Sequence, residues 1–489
     1  MKFLRVICVL ALAFCVTANV YAETQNVKVS GDLAVRSIMR ANYDYRGSIS
    51  EPDVTRTNVG TEGDQNWFMS TAEVEIAADM TDNVSTVIRM VNQRDWDVQQ
   101  KAIAANTTLA QNGLGGYTAN GAELAVGIDL AYVTLKDFIY SPLTLTIGRQ
   151  DLWFGRGFIV GANQRVDNGV IAAMEYTAIN SFDAIKAVLD YDPWTITGLY
   201  SKIYENAIQA NDDVDLFGLN VGYKFDAYKA EAEGYWFNKR DRSVERWGGI
   251  KSQNIVHTLG LRGSFDPIEV ITVNLEGAFQ GGSAVLNRLQ VTNRERAGYA
   301  IDGGLEWRYL ADKWAWKPKL GAEYILYSGE GVESNPATAA GAFEGWDPMY
   351  RGKFDSAIRE FVGRYYTSYK YPSRANYLIS NADASFTNQH QLMFSGSIQP
   401  IESLTMKGNL NLFWTFEDID NRQTDGFSAV SNREPGGLIG TEVDIQTNWD
   451  YTEDVSFGLL TGWFIPGGDV YDNADKVATD IVGSVKVNF

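Results

Sequence analysis

Residues 404–416 read Leu404-Thr405-Met406-Lys407-Gly408-Asn409-Leu410-Asn411-Leu412-Phe413-Trp414-Thr415-Phe416. In an extended chain Leu404, Met406, Gly408, Leu410, Leu412, Trp414 and Phe416 share one face, and Thr405, Lys407, Asn409, Asn411 and Thr415 share the other. Only Phe413 interrupts the polar face. A strand of this kind has one side in an apolar medium and the other in water. The pattern recurs in Phe217-Leu219-Val221-Tyr223-Phe225 against Asn220 and Lys224, in Ile271-Val273-Leu275 against Thr272, Asn274 and Glu276, and in Val443-Ile445 against Glu442, Asp444 and Gln446. Such segments are long enough for the ~9–11 residues of a tilted transmembrane strand, whereas strands of soluble sheets most often run ~5–6.

Charges at mid-strand on the polar faces suit a water-filled lumen better than a dry sandwich core. The apolar faces then meet lipid. Aromatic residues gather where the two interfacial girdles are expected, at Tyr191/Trp194, Tyr235-Trp236-Phe237, Trp314/Trp316 and Trp463/Phe464. The fold class expected is all-β, a transmembrane antiparallel β-barrel. The bland alternative is a soluble secreted sandwich or β-helix, and no short repeat supports the latter.

Eight short, turn-rich connections fall at 81–83, 137–141, 192–193, 226–227, 266–267, 311–313, 400–401 and 450–453, and nine longer polar stretches alternate with them. Short periplasmic turns and long outer loops therefore imply eighteen strands, with both termini in the periplasm. The longest stretch, 328–388, is expected to be an extracellular loop that folds over or into the pore.

The N-terminal MKFLRVICVLALAFCVTANVYA pairs Lys2 and Arg5 with an apolar run and a small-residue end, so 1–22 is expected to be a cleaved signal peptide and 23–489 the barrel. The run is too short for a helical span, which needs ~20 apolar residues. Both cysteines, Cys8 and Cys15, lie in this leader, and bulky Phe14 argues against lipidation at Cys15. The whole chain carries a net charge of -19; without Lys2 and Arg5, 40 basic residues face 61 acidic ones, leaving -21. Nucleic acid is excluded as a partner by this balance. The partners expected are outer-membrane lipid and a hydrophilic solute.

Thr146-Ile147-Gly148-Arg149-Gln150-Asp151-Leu152-Trp153-Phe154-Gly155 resembles the alginate export family of outer-membrane porins. So does the hairpin Phe182-Asp183-Ala184-Ile185-Lys186-Ala187-Val188 followed by Asp192-Pro193-Trp194-Thr195-Ile196-Thr197-Gly198-Leu199-Tyr200-Ser201-Lys202. The resemblance implies an eighteen-stranded barrel whose lumenal arginines form an electropositive constriction for a polyuronate. By position it implies that Arg149 and Gln150 match the family's Arg-Gln pair and that Lys186 replaces a usual arginine. Asn180 and Ser181 stand where the family usually has an arginine before Phe-Asp, a departure in the selectivity-bearing region. The terminal Ser484-Val485-Lys486-Val487-Asn488-Phe489 resembles the signal read by the barrel-assembly machinery, which makes that machinery an expected partner through Phe489.

Parity places Arg89, Lys186, Arg308, Lys319 and Lys407 in the lumen with Glu73, Glu75, Glu276, Asp302, Glu306 and Glu442, a nearly balanced wall. The candidate pore and substrate-binding residues are Arg149, Gln150, Arg156, Arg165, Lys186, Arg89 and Arg308. Against them stands a generic solvated wall with cross-strand pairs. Arg149 carries a conflict. Parity with Leu143, Leu145 and Ile147 aims it at lipid, while the resemblance aims it at the pore, so a bulge after Ile147 is expected to turn it inward.

No Gly-x-Ser-x-Gly elbow, Cys/His set or phosphate loop occurs, His257 and His390 share parity with lipid-facing leucines, and no enzyme or cofactor is implied. Asp418, Asp420 and Asp425, or Asp472 and Asp475, lack full calcium-ligand spacing. The expected function is passive passage of a hydrophilic solute, an anionic polysaccharide or oligosaccharide. Its alternatives are a general diffusion porin and a surface adhesin or receptor that uses 328–388.

Overall fold

The structure, a computed structural model, describes residues 26–42, 65–96, 126–161, 171, 181–205, 213–226, 229–242, 253–284, 294–308, 314–330, 341–351, 356–358, 387–417, 437–468 and 476–489. The leader, Arg165 and the five loop aspartates lie outside these residues.

The strands are β1 (Asn26–Ala41), β2 (Gln65–Thr81), β3 (Val84–Asp95), β4 (Gly127–Leu135), β5 (Leu143–Gln150), β6 (Phe182–Asp190), β7 (Trp194–Tyr204), β8 (Val214–Phe225), β9 (Ala230–Asp241) and β10 (Asn254–Ile268). They continue as β11 (Ile271–Ala284), β12 (Arg294–Glu295), β13 (Tyr299–Arg308), β14 (Lys319–Tyr327), β15 (Gln389–Ile401), β16 (Leu404–Thr415), β17 (Leu438–Asp450), β18 (Val455–Pro466) and β19 (Ala478–Asn488). All pairings are antiparallel, and β19 returns to pair with β1 from Asp32↔Asn488 to Ala41↔Thr479. The two-residue β12 and the longer β13 both pair with β11, so they form one interrupted stave and the closed barrel has eighteen. Closure leaves no open sheet edge in the apolar layer.

The seam is finished by two backbone bonds, Gly31 N–H to the Phe489 carbonyl at 2.9 Å and Phe489 N–H to the Gly31 carbonyl at 3.0 Å. A Cβ at Gly31 would stand 2.3 Å from the Glu73 carbonyl and 2.7 Å from the Phe489 ring. Glycine is what allows the last residue to lie across the first strand.

Parity reads the faces correctly. Leu259, Leu261, Leu275, Leu305 and Leu410 are exposed on the outside, whereas Thr258, Glu276, Asp302 and Asn411 are buried on the inside. His257 and His390 are on the outer side near the long-loop end, His257 stacked on Trp236 and His390 bonded to the Tyr324 hydroxyl. Tyr191, Trp194, Trp314 and Trp316 are exposed at the short-turn end, as a girdle requires. Three of the expected girdle aromatics belong elsewhere. Tyr235, Phe237 and Phe464 are buried on the lumenal face, because a run of adjacent aromatics on a strand must split between its two sides.

Two turns also lie later than their prolines suggest. Pro267 and Pro400 are inside β10 and β15, and the turns follow at 269–270 and 402–403. In each case the register shifts beside the proline, between Phe265 and Ile268 and between Ile398 and Ile401, so the residue lacking an N–H sits at an irregularity of the ladder.

Neighbouring residues of β11 test the face assignment: Leu275 is 57% exposed on the outer side, and Asn274 lines open lumen. Leu275→Arg is expected to cost roughly 2–4 kcal/mol in urea unfolding from lipid vesicles, and Asn274→Arg less than about 1.

Candidate functional site

After β5 the chain turns into the barrel instead of away from it. Gly155 and Gly157, both at positive φ, allow the turn, and the Trp153 indole donates to the Gly155 carbonyl at 3.0 Å. Leu152, Phe158, Ile159 and Val160 are then buried against lumenal Phe182, Leu199, Leu216, Phe237, Val256, Ile325 and Tyr327. A second inward segment, 341–351, lies on the first through a parallel bridge between Val160 and Tyr350, with Trp346 and Met349 buried in the same cluster.

The second segment is tied to the wall by Asp347. Its carboxylate takes the Lys239 ammonium of β9 at 3.1 and 3.3 Å and the Met349 N–H at 2.9 Å. Gln280 of β11 donates to the Asp347 carbonyl at 2.7 Å and accepts from its N–H at 2.8 Å. Burial alone would raise the Asp347 carboxyl, yet Lys239 and Arg296 outweigh it and hold the group below the usual carboxylate range.

The same long stretch reaches the opposite wall at 356–358. Ala357 and Ile358 are buried with Ile38, Met69, Phe413, Leu460, Phe464 and Val482, and Ile171 joins them. Ser356 Oγ and the Ile358 N–H donate to Glu442 at 3.0 and 2.6 Å, and the Ala357 N–H donates to Asp444 at 3.3 Å. Phe413, the exception in the opening alternation, marks this landing place.

Arg89, Arg156, Arg262 and Arg308 on the lumenal side are held by carboxylates. Arg89 meets Asp129 at 2.7 Å, Asp151 at 3.3 Å and Glu75 at 3.5 Å. Arg156, on the first inward segment, meets Glu323 at 2.8 Å and Asp302 at 3.5 Å. Arg262 lies between Glu231 at 2.6 Å and Glu233, and Arg308 meets Glu306 at 3.2 Å and Asp266 at 3.5 Å. Lys186 is lumenal and makes no ion pair among the described residues.

Gln150 is lumenal but buried, its amide donating to the Thr146, Gly148 and Ala184 carbonyls, so it fastens the end of β5 and presents little to a solute. Arg149 faces outward, contrary to the inward turn expected from the sequence. The β5–β6 ladder runs from Leu143↔Leu189 to Gln150↔Phe182 without a register shift, so no bulge turns it inward. It pairs across strands with Asp183 at 3.5 Å on the outward face that carries Ile147 and Ile185. At the strand end a charge facing outward costs little, and Asp183 supplies its partner.

Below the inward segments, toward the short turns, the lumen opens into a cavity of about 640 Å³ bordered by Arg156, Lys317, Lys319 and Lys407, by Ser395 and Ser397, and by Glu306 and Glu323. One cross-strand row runs Arg308↔Lys319↔Ser397↔Lys407↔Gln446, three cations on five staves with no carboxylate among them. Lys319 makes no ion pair among the described residues. Parity places these lysines in the lumen, but only the register brings them into one row, so sequence reading leaves them among the generic wall charges.

Asp347→Asn leaves the Lys239 charge without its partner and is expected to weaken docking of 341–351 by roughly 3–5 kcal/mol, read as protease cleavage within that segment and a rise in conductance. Because the folded Asp347 is held below the ordinary aspartate value of 3.8, its contribution is complete above that value and lost as pH falls through the lower folded one. Cleavage of the unmodified protein should therefore increase only at pH below about 4, with no such transition in the Asn variant.

The fold has several solved likenesses, each close to full length. OccAB1 of Acinetobacter baumannii superposes with a TM-score of 0.53 at 10% identity over 96% of this chain and 99% of that one. OccK8 (OprE) of Pseudomonas aeruginosa gives 0.52 at 10% identity over 95% and 98%, and Pseudomonas aeruginosa OpdK with vanillate gives 0.50 at 10% over 94% and 99%. At that identity the likeness is one of fold. No curated protein matches the chain in sequence. The alginate export family model matches residues 38–484, nearly the whole barrel. With its closed eighteen-stave wall and lumenal charge, this chain is a Gram-negative outer-membrane pore protein, not an enzyme, and it belongs to the alginate export family.

Proposed function

We propose that the pore passes an anionic polysaccharide or oligosaccharide, which enters through the open half of the lumen. The observation that carries this reading is the row Arg308, Lys319, Lys407 with Lys317 beside the cavity. Ammonium groups next to Ser395 and Ser397 offer an anionic sugar both charge and hydroxyl partners without first having to break an ion pair at Lys319. Farther in, Arg89, Arg156 and Lys186 continue the cationic side of the path. The carboxylates around Arg89 and Arg156 lower their pull on an anion and set the tone of a weakly selective wall. Those carboxylates also favour the second reading, a general diffusion porin.

Ion selectivity separates the two. In planar bilayers, Lys319→Glu with Lys407→Glu is expected to shift the reversal potential toward cation preference and to weaken oligouronate block about tenfold. Unchanged block in that variant would leave the general porin as the reading. For assembly, Phe489 is proposed as the residue recognised by the barrel-assembly machinery. Deleting it should lower the yield of folded barrel in cells while leaving refolding into vesicles largely intact.

A further inference from the structure

The outward face carries a charge pattern that the pore does not use. Across five adjacent strands the register runs Arg149↔Asp183↔Lys202↔Asp215↔Arg240, alternating in sign on every stave from β5 to β9. All five positions share the face of Ile147, Ile185, Tyr200 and Leu219, which are exposed to the outside of the barrel. They lie at the long-loop ends of their strands, so the row sits at the outer rim.

Its middle is rich in carboxylates. Lys202 holds Glu205 at 3.1 Å, Asp213 at 3.3 Å and Asp215 at 3.1 Å, while Arg242 reaches Asp213 at 3.3 Å and the Tyr200 hydroxyl donates to Asp215 at 3.2 Å. Its two ends are arginines with donors to spare. Arg149 spends Nη1 on Asp183 at 3.5 Å, its Nε is buried, and its Nη2 makes no hydrogen bond among the described residues. Arg240 lies over the Phe217 ring at 5.0 Å, donates to Asn238 and makes no ion pair among the described residues. The two arginines are about 20 Å apart along the row, four inter-strand spacings.

Exposed ion pairs add little to stability, so holding the barrel together does not account for a row this regular. Its height and direction limit what can lie against it. An outward side chain just above the lipid-facing Ile147, Ile185 and Leu219 meets the headgroups of the outer leaflet. In a Gram-negative outer membrane those headgroups belong to a phosphorylated glycolipid. Guanidinium groups present paired N–H donors that match phosphate oxygens.

We infer that this row is a docking belt for the phosphate groups of outer-leaflet glycolipid, with Arg149 and Arg240 as its two phosphate-binding ends. This gives Arg149 a role on the opposite side of the wall from the pore.

The test uses the full barrel in bilayers of phosphatidylcholine containing either bisphosphorylated lipid A or the same lipid dephosphorylated, with lipid retention read by native mass spectrometry. The unmodified protein should retain the phosphorylated form at least tenfold better. Arg149→Gln with Arg240→Gln should abolish that preference while single-channel conductance stays unchanged, which also reports that the barrel has folded. Should the double variant assemble poorly, Arg240→Gln alone breaks no ion pair among the described residues and should still cut the preference severalfold. Equal retention of the two lipids by the unmodified protein, or a preference untouched in the folded variants, would overturn the inference. So would competition by millimolar inorganic phosphate in the vesicle buffer, since that would point to a free-anion site.

Discussion

A strand crossing hydrocarbon has no water to satisfy its N–H and C=O groups, so every one must find a partner in a neighbouring strand. The barrel meets this demand through the β1–β19 pairing, finished by the mutual bonds of Gly31 and Phe489. Once the sheet is closed, each strand has one side in lipid and one in the lumen. The period-two alternation, the outward leucines and the inward charges all follow from that geometry.

Closure creates an interior, and the chain uses part of it. The inward segments pack on two apolar patches of the lumenal wall, 152–160 and 341–351 on the patch around Phe237, Val256 and Tyr327, and 356–358 on the patch around Phe413 and Phe464. Apolar packing gives these segments adhesion, and the buried Lys239–Asp347 pair fixes where they sit. The outer half of the lumen is consequently crowded, while the half toward the short turns is open. Arg89 and Arg156 are enclosed by carboxylates, whereas Lys319 and Lys407 border the open space, which Glu306 and Glu323 also line, so a passing ion meets both signs of charge along the wall.

On the outside of β5 to β9, the wall passes from isoleucine, leucine and aromatic residues to a row of alternating charge within a few residues. Arg149 belongs to that gradient. Its neighbours in register, Asp183 and then Lys202, decide its environment more than its neighbours in sequence do.

The sequence by itself determined the barrel, its approximate stave number, which side of most strands faces lipid and that the lumen is charged. Those properties are local, since a single strand in a two-sided environment must alternate wherever it lies in the barrel. Phe413 was a visible exception whose meaning was hidden, as were Leu216, Val256 and Phe237 on other lumenal faces. Their reason is a segment arriving from far along the chain. The tertiary structure alone decided which charges are neighbours: that Lys319, Ser397 and Lys407 form one row, that Arg89 and Arg156 are enclosed, and that Arg149 stands outside with Asp183. Register between strands and the path of inward loops depend on contacts between residues tens to hundreds of positions apart, and alternation within one strand carries no record of them.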